Sequence, residues 1–463
     1  MSGEHIITAI EKEILMKFKK TVSIVLCVSL IWLFAVSSFA ANSVSAPAEW
    51  YSNSETVFAE TGRICLAPGA EHGDMNFAWV VTGLTHVNEK FIYGKQSDLS
   101  DGIAADVTTI TTSSFVSVSN RVSLVDLEAG AYYYNYTYNG EWQEISSFTI
   151  QNIDDGFSVM LCSDPQLGRS GDDTDNAIID DCYGWNRTLE AAKAKCPEMS
   201  FALCAGDQVN VAINKKEYNA FLYPQALRSV PLATAVGNHD FYSPMYTLAF
   251  NNPNVSSEDF LSTAGNGYYF GYGNALFIVI NSNNYIIEDH RAVIASAVNA
   301  YPDAKWRVVM MHTSPYFSGM KEDDQTTVDL YCPVFDEFDI DMVLSGHEHI
   351  YSRTAPMTAD CLDENGVTYL AVSTASGCSY DSYENVDGRI VFNKNCAEPT
   401  YSILDFSENE INVKSYTTDS DERFDEFSIE KENASSVEVN YTFTEWYVHI
   451  IKMIFTLIGL LFK

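Results

Sequence analysis

Six short apolar segments recur between residues 157 and 349, and five of them run directly into polar side chains. The segments are FSVMLCSD, MSFALCAGD, VPLATAVGNHD, ALFIVINSN, WRVVMMHTS and IDMVLSGHEH. Continuous apolar runs of this length predict β-strands that are buried on both faces. Helical patterns lie near residues 184–195, 214–228, 289–300 and 327–338. This part of the chain is therefore predicted to be an α/β sheet covered by helices on both faces.

Five later strand-like segments complete this half of the sequence: VTYLAVSTAS, RIVFNK, TYSILDFS, EINVKSY and DEFSIEK. Helical patterns do not separate them in the sequence. They are therefore predicted to form a second sheet that packs on the first.

The polar residues after the five strands are of the types that bind metals or transfer protons. They are Asp164 and Gln166 in SDPQLG, Asp207 and Asn210 in AGDQVN, Asn238, His239 and Asp240 in GNHD, His312 in MMHTSPY, and His347 and His349 in SGHEH. Ligands of open α/β sheets bind beyond the carboxyl ends of the strands, so these clusters are expected to meet in one crevice. Two cations about 3.5 to 4 Å apart need a bridging carboxylate with further oxygen and nitrogen donors. The set predicts a two-metal hydrolytic site.

The ordered series DxQ, GDxxN, GNHD, H and GHxH resembles the calcineurin-like metallophosphoesterase superfamily. With GHEHIYSR at residues 346–353, the chain is similar to bacterial purple-acid-phosphatase-like members over roughly residues 45–430. The resemblance implies a four-layer αββα domain at residues 151–430. It also implies hydrolysis of phosphate monoesters by a hydroxide held at two divalent metal ions.

The resemblance implies which residues bind the two ions. Asp207 would bridge them. The first ion would take Asp164 and His349, with Gln166 or Asn210 nearby, and the second would take Asn238, His312 and His347. His239 would stay off the metals and stabilise or protonate the leaving group, while Asp240 holds its other ring nitrogen. Arg353 would reach a substrate oxygen or pair with a nearby carboxylate.

Two departures from the family pattern bear on the metals. Purple acid phosphatases have a tyrosine where this chain has Asn210. This chain also has Gln166 where the family pattern DxH has histidine. Tyrosinate suits trivalent iron, whereas neutral amides do not compensate that charge. Two divalent cations, less two carboxylates and one hydroxide, leave a net charge of about +1 that attracts a phosphate dianion. We therefore expect zinc, manganese or iron(II), without a visible tyrosinate band.

Residues 45–150 have a different pattern, with short alternating segments such as NFAWVVT and KFIYGK between turn residues. Such spacing predicts an all-β sandwich. The segment LEAGAYY resembles the tyrosine corner of a fibronectin type III module, with Leu127, Gly130 and Tyr133 as the matching residues. The stretch LAPGAEHGDMNFAW is similar to the first hairpin of the N-terminal domain of purple-acid-phosphatase-like proteins.

Both ends of the chain carry apolar segments. Residues 1–40 are predicted to be a secretory signal peptide, with a retained membrane anchor as the alternative, because MKFKK precedes an apolar run. Translation is expected to start at Met16. Residues 431–463 are predicted to be a linker and an amphipathic helix, WYVHIIKMIFTLIGLLFK. This helix would lie on a membrane surface or pack on the protein itself or on a partner. The protein is thus expected to be secreted, with or without attachment to a membrane.

The formal net charge of −35 argues against a nucleic-acid partner, because such binding needs Lys and Arg to neutralise phosphates. A small phosphate ester is the expected substrate. The same metal core would also serve a phosphodiesterase or a nucleotidase. A third alternative is a cell-surface binding module with a vestigial metal site.

Among the cysteines, Cys182 with Cys196, and Cys361 with Cys378, are candidates for disulfides in an exported protein.

Overall fold

Strands and helices alternate between residues 157 and 345 in a computed structural model of the chain, which describes residues 45–83, 88–112, 115–171, 174–256, 264–320, 325–384 and 388–433. The N-terminal strands are β1 (Cys65–Pro68), β2 (Met75–Thr82), β3 (Phe91–Gly94), β4 (Ile103–Ala105), β5 (Thr108–Thr112), β6 (Phe115–Leu124), β7 (Gly130–Tyr138), β8 (Glu141–Trp142) and β9 (Ser146–Ile150). The later strands are β10 (Phe157–Cys162), β11 (Phe201–Cys204), β12 (Leu232–Thr234), β13 (Tyr268–Tyr272), β14 (Ala275–Val279), β15 (Trp306–Met310), β16 (Met342–Ser345), β17 (Tyr351–Thr354), β18 (Met357–Thr358), β19 (Cys361–Leu362), β20 (Thr368–Ala371), β21 (Ile390–Lys394), β22 (Thr400–Phe406), β23 (Glu410–Thr417) and β24 (Arg423–Glu430). The α-helices are α1 (Ala48–Ser52), α2 (Ser54–Phe58), α3 (Thr174–Lys195), α4 (Lys215–Phe221), α5 (Met245–Ala249), α6 (Ile287–Ala300) and α7 (Gln325–Glu337), and a 3-10 helix spans Gln225–Arg228.

Two mixed sheets form the α/β part, and the prediction about their composition was partly wrong. One has the order β12-β11-β10-β22-β23-β24 and the other β13-β14-β15-β16-β20-β17-β21. The six early strands are therefore divided between the two sheets. The later strands add to both sheets and do not form a second sheet by themselves. Apolar periodicity shows that a strand is buried but does not show which neighbour it pairs with, so the sequence did not reveal this division.

The two sheets pack face to face, and helices cover their outer faces. Alternate residues of β10 lie on the two opposite faces of its sheet. Val159 and Leu161 lie in the core between the sheets, whereas Met160 and Cys162 face helix α3. Helices α6 and α7 cover the other sheet in the same way. The predicted mixed α/β fold is confirmed, with the helix, sheet, sheet and helix layers that put the parallel strand ends along one edge.

The N-terminal region contains two antiparallel sheets around a shared aromatic core. Their strand orders are β1-β2-β6-β5 and β4-β3-β7-β8, with β9 also paired to β7. Phe77, Phe91 and Tyr134 pack together inside this core. One expected detail was wrong: the hydroxyl that bonds back to the chain belongs to Tyr132, which donates to the Glu128 carbonyl at 3.1 Å, and Tyr133 is only partly buried.

These β-sheets contact the segment that follows the GNHD motif. Asn76 Nδ2 donates to the Asn251 carbonyl at 3.0 Å, and Arg121 Nη2 donates to the Phe250 carbonyl at 2.9 Å. The described residues belong to one compact unit. The N-terminal sheets therefore contact the segment just after α5, while the domain boundary near residue 150 stays a prediction.

The candidate disulfides are not formed in the described part of the chain, where the nine described cysteines are free. Cys182 lies within α3 and Cys196 just beyond its end, so the helical rise of about 1.5 Å per residue separates them by about 20 Å. Cys378 is buried and Cys361 is exposed. In the same described ranges, no helix has the length and apolarity that crossing a membrane requires. The predicted signal peptide at 1–40 and the predicted C-terminal helix lie outside the described residues.

Trp185 joins helices α3 and α4, and its removal is expected to destabilise the fold. Its ring is fully buried and stacks on Phe221 at 5.6 Å, and its Nε1 donates to the Phe221 carbonyl at 3.0 Å. Trp185→Ala should lower the free energy of unfolding by about 3 to 5 kcal/mol, because it leaves a cavity and an unpaired carbonyl. Denaturant unfolding measures this. Trp142→Ala, at a 47% exposed site, should change it by less than about 0.5 kcal/mol, and equal losses would contradict this account.

Candidate metal centre

His312 lies at the centre of a cluster of ligand atoms at the carboxyl ends of the strands. Its Nε2 is 3.3 Å from Asp207 Oδ2, 3.0 Å from Asn238 Oδ1 and 3.2 Å from His347 Nδ1. Its other nitrogen, Nδ1, is 2.8 Å from the Ala205 carbonyl, which holds Nε2 towards the cluster. The ligand atoms of Asp207, His312 and His347 lie within 4.8 Å of one another. The structure therefore brings these three predicted ligands together with Asn238.

A second group contains Asp164 and His349. His349 Nε2 is 3.3 Å from Asp164 Oδ1, and Asp164 Oδ2 accepts the backbone N–H of His347 at 2.9 Å. His349 Nδ1 lies 3.1 Å from the Ser379 carbonyl and 2.5 Å from its hydroxyl oxygen. Ser379 was not identified from the sequence, because a serine in a loop carries no spacing signal. It orients the ring so that Nε2 faces the carboxylate.

The buried carboxylates fit a site for divalent cations. Asp164 is fully buried and Asp207 is 2% exposed, and Asp164 Oδ1 has no hydrogen-bond donor. Burial alone would lower the pKa of His312, but the charges of Asp207 and Asp164 raise it to about 10. Burial would raise the pKa of Asp207, yet His312 and His239 hold it well below its usual value. The two carboxylates thus create a strong demand for positive charge, which divalent ions with oxygen and imidazole ligands would satisfy.

The backbone is strained where it presents these ligands. Residues with positive φ include Asp164 at 50°, Gln166 at 39°, Asp207 at 50°, His347 at 73° and His349 at 50°. Residues other than glycine adopt this left-handed backbone conformation rarely, and those that do concentrate at functional sites. These residues lie just beyond the carboxyl ends of β10, β11 and β16, where the predicted ligands converge.

Two glycines give the carboxylates the space they occupy. A Cβ on Gly237 would lie 1.9 Å from Asp207 Oδ1, and a Cβ on Gly346 would lie 2.3 Å from Asp164 Oδ2. The first glycine of GNHD is thus required by the close approach of Asp207, a contact that the sequence did not indicate.

His239 lies beside the cluster and is held through its backbone and its ring. Its N–H donates to Asp207 Oδ1 at 2.9 Å, and its Nδ1 lies 2.7 Å from the Asn210 carbonyl. A carbonyl oxygen only accepts, so Nδ1 carries the proton and Nε2 is the ring nitrogen left for other chemistry. The expectation that Asp240 holds this ring was wrong.

Asp240 instead fixes the loops around the bridging position. It is fully buried and accepts backbone N–H groups from Gly237 at 2.9 Å, Gln208 at 3.3 Å and Val209 at 3.4 Å. Asp240 follows His239 directly in the sequence, but its carboxylate contacts these backbone N–H groups and not the imidazole ring. Asp240 ties the GNHD loop to the loop that follows Asp207.

Arg353 forms an ion pair within the protein. Its Nε and Nη2 donate to the two oxygens of Asp425 at 2.9 and 3.0 Å, and its guanidinium lies 4.3 Å from the Phe427 ring centre. Of the two roles expected for it, the carboxylate pair is the one observed, and its assignment as a catalytic residue was wrong.

The two amides expected near the first metal contact each other. Gln166 Nε2 is 3.5 Å from Asn210 Oδ1, and Asn210 Nδ2 donates to the Gly168 carbonyl at 3.3 Å. Their part in metal binding stays a prediction.

Residues 157–351 match the family model for calcineurin-like phosphoesterases. The chain contains a calcineurin-like phosphoesterase domain. The match includes every strand that ends at the cluster, from β10 to β16. The domain supports assignment to the phosphoric ester hydrolases, in a family that binds divalent metals.

Solved structures share the fold at low sequence identity. Purple acid phosphatase PPD1 from yellow lupin (Lupinus luteus) seeds matches with a TM-score of 0.63 and 14% identity, over 80% of this chain and 74% of that one. PhoD matches with a TM-score of 0.54 and 10% identity, over 83% of this chain and 93% of that one. Uncharacterized protein Rv2577 of Mycobacterium tuberculosis is 27% identical over 164 residues. That alignment covers 34% of this chain and 27% of the relative's length.

Gly237→Ala is expected to reduce metal binding, because the added Cβ would lie 1.9 Å from Asp207 Oδ1 and displace this carboxylate. We expect a metal affinity at least about tenfold lower, as for changes in groups that orient ligands. Metal titration of the purified protein measures this. Gly388→Ala is the matched control, since a Cβ there meets no atom within 4 Å. Unchanged affinity in Gly237→Ala would show that Asp207 is not a ligand.

Proposed function

We propose that the chain is an exported phosphomonoesterase whose active site binds two divalent metal ions around Asp207. The observation that carries the proposal is the convergence of Asp207, Asn238, His312 and His347 on one point, with Asp164 and His349 adjacent. A single cation does not need two buried carboxylates with separate histidine partners. The phosphoesterase domain match supports the same chemistry.

The ligand assignment follows the two groups of contacts. Asp164 and His349 would hold the first ion, and the second would be held by Asn238, His312 and His347, with Asp207 shared between them. When bound, the ions would supply a water of lowered pKa as nucleophile and neutralise charge on the phosphoryl oxygens. The neutral side chain of Asn238 keeps the net charge of the site positive.

His239 is the residue we assign to the leaving group. Its Nδ1 is committed to the Asn210 carbonyl, so Nε2 is the nitrogen that would carry a proton to the departing oxygen. The contact of its N–H with Asp207 Oδ1 fixes the distance between the ring and the bridging carboxylate. This arrangement would place the acid next to the metals without making it a ligand.

The remaining parts of the proposal concern the rest of the chain. We propose that the N-terminal sheets are a fibronectin type III-like module, supported by the Tyr132 hydrogen bond. Export is supported by the sequence pattern of residues 1–40, and attachment to a membrane surface by the amphipathic pattern near the C-terminus.

Hydrolysis of a phosphomonoester should depend on divalent metal and on His239. Chelation should abolish hydrolysis of phenyl phosphate, and added metal should restore it. His239→Ala should lower kcat by about 10²- to 10⁴-fold, the usual contribution of a general acid. His72→Ala, in the N-terminal sheets, is the control and should leave kcat unchanged. Faster turnover of bis(4-nitrophenyl) phosphate than of the monoester would instead favour a phosphodiesterase, and metal binding without turnover of either ester would favour a binding module.

Asn238→Asp is expected to weaken binding of phosphate while retaining metal. The substitution adds one negative charge next to His312 Nε2, which lies 3.0 Å from Asn238 Oδ1. A unit charge at about 4 Å interacts by several kcal/mol at an effective dielectric constant of about 20. The inhibition constant for inorganic phosphate should therefore rise about tenfold or more. Asn139→Asp adds the same charge at an exposed turn and is the control. Unchanged inhibition in Asn238→Asp would contradict the charge argument.

A further inference from the structure

Glu217 is a buried carboxylate behind the leaving-group histidine, and metal binding does not account for it. It belongs to α4, is fully buried, and both of its oxygens accept hydrogen bonds. Val211 N donates to Oε2 at 2.6 Å, and Asn214 Nδ2 donates to Oε1 at 2.7 Å. Burial raises the pKa of Glu217 to about 7, while its two N–H donors favour the ionised carboxylate.

The Val211 N–H belongs to the same peptide group as the Asn210 carbonyl. That carbonyl lies 2.7 Å from His239 Nδ1. A continuous chain of hydrogen bonds therefore runs from the Glu217 carboxylate through one peptide group to the imidazole. Hydrogen bonds in series polarise one another, by about 10 to 30% for each bond. A carboxylate on the N–H side makes the carbonyl a stronger acceptor for the histidine proton.

Helix capping does not explain this contact. Asn214 caps α4 by accepting the Lys216 N–H at 3.1 Å, and Glu217 occupies the third helical position. In a capping box, a glutamate at this position accepts the N–H of the cap residue. Here the Asn214 N–H donates to the Val211 carbonyl at 2.8 Å instead. The carboxylate reaches past the cap to the peptide that holds His239.

We propose that Glu217 is a positioning residue that acts on His239 through the peptide bond between Asn210 and Val211. It takes the place of a carboxylate in direct contact with the ring, the role that Asp240 does not fill. This series of hydrogen bonds fixes the Nδ1–H form of His239 and stabilises the ring while Nε2 gives its proton to the leaving group. This inference rests on the proposed function, since it assigns a partner to the general acid of that reaction.

The test is a double-mutant cycle with Glu217→Gln and His239→Ala in the full-length, metal-loaded protein. Glutamine keeps the shape of the side chain and removes its charge. Phenyl phosphate and 4-nitrophenyl phosphate are compared, because the poorer phenolate leaving group depends more on a general acid. Glu217→Gln should lower kcat for phenyl phosphate about tenfold and for 4-nitrophenyl phosphate by less than about threefold. In the His239→Ala background it should have no further effect.

Two variants separate this role from support of the loop. Asn214→Ala removes the other donor to Glu217 and should leave the ratio of the two rates unchanged, as should Glu190→Gln at an exposed position of α3. The ratio does not depend on the fraction of molecules that are folded, so it is interpretable even when Glu217→Gln is unstable. Equal losses with both esters, complete inactivity, or the same loss in the His239→Ala background would overturn the proposal. A wild-type protein that hydrolyses neither ester would overturn the proposed function, and this inference with it.

Discussion

The burial of Asp164 and Asp207 at the edge of two packed sheets is the constraint on which the rest of the site depends. Each carboxylate is removed from water and has a histidine partner, so the site favours positive charge, which divalent cations would supply. The left-handed backbone at both residues and the glycines beside them accommodate the two carboxylates. Ordered strands on both sides hold these costly conformations in place.

Two carbonyl groups control the direction of the histidines. The Ala205 carbonyl holds Nδ1 of His312, which turns Nε2 to the cluster of ligand atoms, and the Asn210 carbonyl holds Nδ1 of His239, which leaves Nε2 for the leaving group in the proposed reaction. Both rings are anchored through Nδ1, so the position of the carbonyl sets the direction of each Nε2. Asp240 contributes to the position of His239 indirectly, because it joins the loops on which Asp207 and His239 lie.

The sequence predicted the strands and the convergence of ligands because both depend on local patterns. Apolar runs that end in Asp164, Asp207 or His312 follow from burial and from the direction of parallel strands. The pairing of the sheets, the partner of Arg353 and the anchor of His239 depend on contacts between distant residues. Asp425 lies 72 residues from Arg353, and the Asn210 carbonyl acts through the main chain, which has no sequence signature. Such contacts required the structure.

The most direct test of the central claim is location of metal ions in crystals of the protein by anomalous scattering. The account predicts two divalent ions per chain, one next to Asp164 and His349 and one next to Asn238, His312 and His347, with Asp207 between them. Asp207→Asn should lose both. A single ion, or ions bound elsewhere with Asp207 uninvolved, would contradict it.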